Sequence, residues 1–150
     1  MIASDLRDIV MLVVEDNPAD VVFFEEAVRA NRMNAGMHVA GDGSDAMRFL
    51  RRQDPHTDAP RPDVIVLDLN VPLKSGREIL AEMAADPELR TIPVAVLTTS
   101  TSESWVCDLY PPGLCKYFLK TENFQLLREI VRNIEDHAKG KNHDLPQQEK

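Results

Sequence analysis

The chain is short of cysteine, of histidine in ligand spacing, of basic charge and of long apolar runs. Only two of its 150 residues are cysteine. Cys107 and Cys115 do not form a CxxC pair, so they are read as two small buried apolar side chains in a reducing compartment. The four histidines, His38, His56, His137 and His143, lie far apart, and none has an HxxxH partner. That excludes the common zinc spacings, and no chemistry is assigned to them. Lys and Arg number 17 against 25 Asp and Glu, for a formal net charge of −8. A phosphate backbone demands clustered positive charge, so nucleic acid is excluded as a partner. The nearest basic run, Arg48 with Arg51 and Arg52, reads as the solvated face of one short helix. No apolar stretch approaches membrane-spanning length, and no leader segment is recognisable. These absences predict a cytoplasmic protein with no membrane partner.

What is present is a globular balance, 43% hydrophobic and 28% charged. The length suits one domain, read as residues 1–138, followed by a polar tail over 139–150. Five short apolar runs stand out, at 9–14, 37–40, 64–67, 94–97 and 117–119. Three of them, IVMLVV, VIVL and VAVL, are almost continuously apolar and rich in β-branched residues. Such runs are strands buried on both faces, as in a parallel sheet covered by helices. Helical stretches separate them. Asn17 caps the first, with Pro18 in its first turn, and Val21, Phe24 and Val28 form its stripe. Ala46, Phe49 and Leu50 mark the second, and Ile79, Leu80 and Met83, after Gly76, the third. The fourth starts near Ser102 and must stop by Pro111-Pro112. The fifth carries Phe124, Leu127, Val131 and Ile134, with Thr121 as its cap. Five β-α units predict a doubly wound, five-stranded parallel sheet with five helices, of flavodoxin-like architecture.

In such sheets ligands bind beyond the carboxyl ends of the strands. The residues that follow the strands are Glu15 and Asp16, then Asp68 and Asn70, then Thr98, then Lys120. Each alone is an ordinary turn, cap or surface residue. Together they place three carboxylates, a hydroxyl and an ammonium on one rim. Carboxylates so crowded repel one another and call for a hard cation, for which Mg²⁺ with its oxygen ligands is suited. Asp68 is the nucleophile of choice, since a carboxylate can accept a phosphoryl group. Glu15, Asp16 and Asp68 are expected to hold the metal, with the Asn70 backbone carbonyl as a further ligand. Thr98 and Lys120 are expected to meet phosphoryl oxygens.

These motifs resemble those of response-regulator receiver domains. Val13-Val14-Glu15-Asp16-Asn17 is similar to the family's acidic pair. Val66-Leu67-Asp68-Leu69-Asn70-Val71-Pro72, with Gly76 after it, is similar to its phosphoacceptor segment. Leu97-Thr98-Thr99-Ser100 resembles the switch segment, and Tyr117-Phe118-Leu119-Lys120 the switch aromatic and lysine. A narrower resemblance, to the stand-alone regulators of bacterial phytochrome kinases, rests on Glu15-Asp16-Asn17-Pro18-Ala19-Asp20, the 54–62 loop, Asp86-Pro87-Glu88-Leu89 and the switch segment. The resemblance implies a CheY-like fold, Mg²⁺ as cofactor and transfer from a kinase phosphohistidine onto Asp68. It implies a sensor histidine kinase, here a bacteriophytochrome, as partner, and movement of Thr98 and Tyr117 on phosphorylation. No DNA-binding output segment follows the fifth helix, so output is expected through protein contacts.

Two departures stand out. Thr121 takes the place of the usual proline after the lysine, so a trans peptide or a reshaped loop is expected. Pro111-Pro112-Gly113 shortens the fourth helix. A homodimer is expected through the fourth helix, fifth strand and fifth helix, where Trp105, Tyr110, Cys115, Tyr117, Leu126 and Ile130 are read as a patch. Other readings remain open: an interaction module that takes no phosphate, an Asp-nucleophile phosphohydrolase and a flavin binder. Asn70, where such hydrolases carry a second Asp, and the lack of a phosphate loop after the first strand weigh against the last two.

Overall fold

The computed structural model describes residues 9–140. Five strands, Ile9–Val14 (β1), Ala35–Ala40 (β2), Val64–Leu67 (β3), Val94–Thr98 (β4) and Cys115–Leu119 (β5), form one sheet. The strand order is β2-β1-β3-β4-β5, and every pairing is parallel. The chain leaves β1 for one side and returns to β3 on the other. The order therefore switches between β1 and β3, which opens a crevice at their carboxyl ends.

Alternation within the strands divides the core. Leu12, Val14, Ile65, Leu67, Val94 and Val96 face helices Gly43–Leu50 (α2) and Gly76–Ala84 (α3). Met11, Val13, Val64, Val66, Ala95 and Leu97 face helices Pro18–Ala30 (α1) and Phe124–Ala138 (α4). Both faces are covered, which is why these strands read as unbroken apolar runs. The side chain of Asn17 caps α1 through the amides of Ala19 and Asp20, and Ser75 with Glu78 forms a capping box on α3.

The remaining helical segment is a 3-10 helix, Ser104–Leu109, where a fourth α-helix was expected. The run Thr99-Ser100-Thr101-Ser102 favours local turns, Glu103 supplies no side-chain cap, and Pro111 ends the segment within a few residues. Too little chain is left for α-helical nucleation, and 3-10 hydrogen bonding suits so short a piece. Tyr110 is buried, not on the surface patch, and its hydroxyl donates to the carbonyls of Leu89 and Ile92 at 2.9 and 2.7 Å.

Cys107 and Cys115, expected as separate apolar side chains, are joined as a disulfide with Cα atoms 5.3 Å apart. The Pro-Pro-Gly turn, with Gly113 at φ 83°, brings β5 back against the 3-10 helix and makes the pairing. Asn123, not Thr121, caps α4, accepting from the Leu126 amide at 2.9 Å, while the Thr121 hydroxyl accepts from the Asn123 amide. Ile130 is also corrected: it is buried among α1 and α4 side chains, whereas Leu126 is exposed. Buried His137 lies beside the Val94 and Leu114 carbonyls, at 3.2 and 3.1 Å, and burial lowers its pKa. Beyond residue 140 the tail expected at 139–150, with His143, lies outside the described residues. Among the described residues no helix is long and apolar enough to cross a membrane.

Candidate functional site

The rim of the crevice begins where the strands run out. Glu15 follows β1, its amide bonded to the Ala40 carbonyl at 3.0 Å, so the sheet itself fixes its Cα. The Asp68 amide is held the same way by the Val14 carbonyl at 3.1 Å, and the Lys120 amide by the Thr98 carbonyl at 2.7 Å. These three positions are thus set by backbone ladders and not by flexible loops. Glu15 and Asp68 are 7% and 8% exposed, while Asp16 is open to solvent. One oxygen from each of Glu15, Asp16 and Asp68 lies within 4.8 Å of the other two.

The Lys120 ammonium sits against this group. Its Nζ is 2.8 Å from Glu15, 3.2 Å from Asp68 and 2.9 Å from Asp20. A cavity of about 40 Å³ beside it is walled by Phe23, Phe24, Val66, Leu97 and Leu127. Burial works against the Lys120 charge, yet its hydrogen bonds to Glu15 and Asp20 and the charge of Asp68 outweigh it and raise the pKa. Lys120 therefore stays protonated. Glu15 is also raised: burial is the main cause, the Lys120 bond opposes it, and the Asp68 charge adds to it. One ammonium thus does not fully offset the carboxylates. The unbalanced charge and the three converging hard oxygens fit a divalent cation.

The segment that follows β3 is pressed tight around Asp68. The Asn70 amide donates to Asp68 Oδ1 at 3.1 Å. Gly76, at the start of α3, leaves no room for a side chain: a Cβ there would lie 2.6 Å from the Asp68 carbonyl oxygen and 2.7 Å from Leu69 Cα. The glycine that completes the motif is required by this close approach.

Thr98 is fully buried at the end of β4, one strand away from Asp68, and its Oγ1 accepts from the Ser100 amide at 3.3 Å. Tyr117 donates its hydroxyl to the Ser100 carbonyl. Thr98 and Tyr117 are therefore both fastened to one residue, Ser100. The Lys120–Thr121 peptide is trans, the only cis peptide among the described residues being Asp54–Pro55.

Glu15, Asp16, Asp68 and Lys120 are thus brought together, with Thr98, Asn70 and Tyr117 on the adjoining segments. Two contributors carried no assigned role in the sequence. Asp20, one turn after Asp16 on α1, was visible only as the last residue of a motif. Arg77 had no signal at all. Its guanidinium grips Glu103 with two contacts of 2.7 Å and reaches the Leu69 carbonyl and Asn70 Oδ1 at 3.3 and 3.4 Å. It ties the Leu69-Asn70 segment to the loop that follows Thr98.

Comparison with known proteins agrees with this geometry. The family model for the response regulator receiver domain matches residues 11–132. The chain is 40% identical over 126 residues to the response regulator Rcp1 of Synechocystis sp., spanning 84% of this chain and 86% of that protein. The solved Mn²⁺-bound form of Rcp1 superposes with a TM-score of 0.74 at 38% identity, covering 85% of this chain and 91% of the other. The phosphorylated cyanobacterial phytochrome response regulator RcpA gives 0.79 at 38% identity, covering 91% and 98%. This chain belongs to the response regulator receiver domain family.

Proposed function

We propose that this signalling protein takes a phosphoryl group from a sensor kinase phosphohistidine onto Asp68. A carboxylate oxygen attacks phosphorus, the P–N bond breaks, the imidazole leaves, and an acyl phosphate remains. Water later cleaves it, releasing inorganic phosphate and restoring the carboxylate. The observation that carries this reading is the convergence of Glu15, Asp16 and Lys120 on a buried Asp68. Phosphoryl transfer asks the protein mainly for positioning and charge neutralisation, and this rim supplies both.

Glu15, Asp16, Asp68 and the Asn70 backbone carbonyl would hold Mg²⁺, which supplies neutralisation of the phosphoryl oxygens. The Mn²⁺-bound Rcp1 neighbour supports a divalent ion. Lys120 meets one phosphoryl oxygen and Thr98 another. Release of Thr98 Oγ1 from the Ser100 amide would carry the signal to Tyr117 through the residue they share. The receiver unit spans 1–138, in keeping with the end of α4 at Ala138. The likeness to a cyanobacterial phytochrome response regulator and to two bacteriophytochrome response regulators favours a bacteriophytochrome as the kinase partner. Output runs through protein contacts, in the cytoplasm, without nucleic acid.

Incubation with Mg²⁺ and acetyl phosphate should add the mass of one phosphoryl group. Chelation should prevent the gain, and Asp68→Asn should abolish it, an amide being a poor nucleophile. No gain in wild type would favour an interaction module that takes no phosphate. An equal gain in Asp68→Asn would move the acceptor elsewhere.

The same reading includes a homodimer through the 3-10 helix, β5 and α4. Trp105, Leu109, Leu119 and Leu126, all exposed, lie on these elements, with Tyr117 half-buried among them. Leu126→Glu is the suitable probe, because Leu126 is 46% exposed and its loss leaves the core alone. Sedimentation should give a dimer at micromolar concentration and a monomer for the variant. A wild-type monomer at every concentration, phosphorylated or not, removes the proposal.

A further inference from the structure

We propose that Asp20 is a positioning residue for the transfer, holding Lys120 at the rim when a divalent cation shares Glu15 and Asp68 with it. The inference rests on the reading of Asp68 as phosphoacceptor. An ammonium has three N–H donors. Here Glu15, Asp20 and Asp68 are each within hydrogen-bond distance of Nζ, at 2.8, 2.9 and 3.2 Å. Two of those carboxylates belong to the trio whose oxygens converge within 4.8 Å, and Asp20 is not in that trio. Glu15 and Asp68 would each commit one oxygen to a cation seated there, and so share their charge between it and Lys120. Asp20 is then the one carboxylate partner that Lys120 does not share.

The fold gives Asp20 a fixed base for this task. It lies in the first turn of α1, its amide held by the Asn17 cap, and it meets Lys120 across 100 residues of sequence. Lys120 needs such a tether. A lysine stem carries large rotamer entropy, and the loop beyond it is Thr121 in a trans peptide, without the rigid ring of proline. With Asp20 retaining one N–H, the other two can turn from the shared carboxylates to an incoming phosphoryl oxygen. Asp20 touches no reacting atom and acts through Lys120.

Competitive amine labelling, read by peptide mass, reports how well Lys120 is held, independently of phosphorylation. In saturating Mg²⁺, Asp20→Asn should label Lys120 roughly fivefold faster than wild type, the factor expected for a partly exposed ion pair. The first-order rate of phosphorylation at saturating Mg²⁺ and acetyl phosphate should fall by a similar factor. Asp20→Glu should recover part of both. A purely structural role for Asp20 would move neither in a variant of unchanged thermal midpoint. Should Asp20→Asn fold poorly, wild type alone decides. Lys120 that stays protected in Mg²⁺ supports the tether, and Lys120 labelled as fast as exposed Lys139 overturns it. A wild type that takes up no phosphoryl group overturns the reading of Asp68 itself. A phosphorylated wild type beside an Asp20→Asn variant equal to it in rate and labelling overturns the role of Asp20 alone.

Discussion

Gly76→Ala is expected to destabilise the domain by about 1–3 kcal/mol and to slow phosphorylation of Asp68, although alanine is the better helix former. The new methyl would lie 2.6 Å from the Asp68 carbonyl oxygen and 2.7 Å from Leu69 Cα. Both neighbours are backbone, and the Asp68 amide is already tied to Val14 in the sheet. Relief therefore has to come from moving the start of α3 or the acceptor segment. Either motion disturbs the Gly76 amide bond to the Leu69 carbonyl and the Arg77 contacts with Leu69 and Asn70. Denaturant unfolding and the rate of phosphoryl uptake measure the two effects. A variant as stable and as fast as wild type would show that the close approach is not rigid. A control at Gly36, where a Cβ meets nothing within 4 Å, should lack the steric penalty.

Ile130→Glu is expected to cost about 3–5 kcal/mol, from lost apolar burial and an unpaired charge placed in an apolar layer. Ile130 is 8% exposed and packs in the layer that joins α1, α4 and the sheet, with Phe24, Leu127 and Val131 in the same cluster. Against a typical stability of about 5–15 kcal/mol, that is a large share. Thermal unfolding of Ile130→Glu beside Leu126→Glu separates core from surface on one helix. Leu126→Glu should change stability by no more than about 0.5 kcal/mol. Equal midpoints for the two variants would place Ile130 on the surface and restore it to the dimer patch.

The reading of Ile130 shows where sequence pattern loses resolution. The apolar stripe of α4 was legible from Leu127, Val131 and Ile134, but its width was not. A helix clamped between α1 and the sheet buries a broad arc, and Ile130 falls inside it. Leu126, nearer the exposed first turn, does not. The strands were legible for a simpler reason. With both faces covered, β1, β3 and β4 show no polar interruption, and their ends coincide with the change to Glu15, Asp68 and Thr98. β5 was cut short because the edge strand includes Lys116, and Cys115 reads as an isolated apolar residue. The disulfide was illegible, because its formation depends on how the Pro-Pro-Gly turn folds the chain back.

The convergence of the rim residues was legible because a parallel sheet delivers every strand end to one rim. Glu15, Asp16, Asp68 and Lys120 needed only the right strand order to meet. Asp20 and Arg77 sit on helices, and their partners are distant in sequence. Asp20 reaches Lys120 and Arg77 reaches Glu103 only after α1 and α3 have docked. Long polar side chains of that kind look like ordinary helix surface until the fold is built.

The central claim is that Asp68 carries the phosphoryl group, and its most direct measurement is to locate that group chemically. An aspartyl phosphate is an activated acyl group that borohydride reduces, turning the aspartate into homoserine. Protein incubated with Mg²⁺ and acetyl phosphate, then reduced, digested and mapped by mass, should show homoserine at position 68 and at no other aspartate. The same treatment without Mg²⁺ should leave Asp68 intact. Homoserine at Asp16 or Asp20, or none anywhere despite a gain in intact mass, would contradict the account.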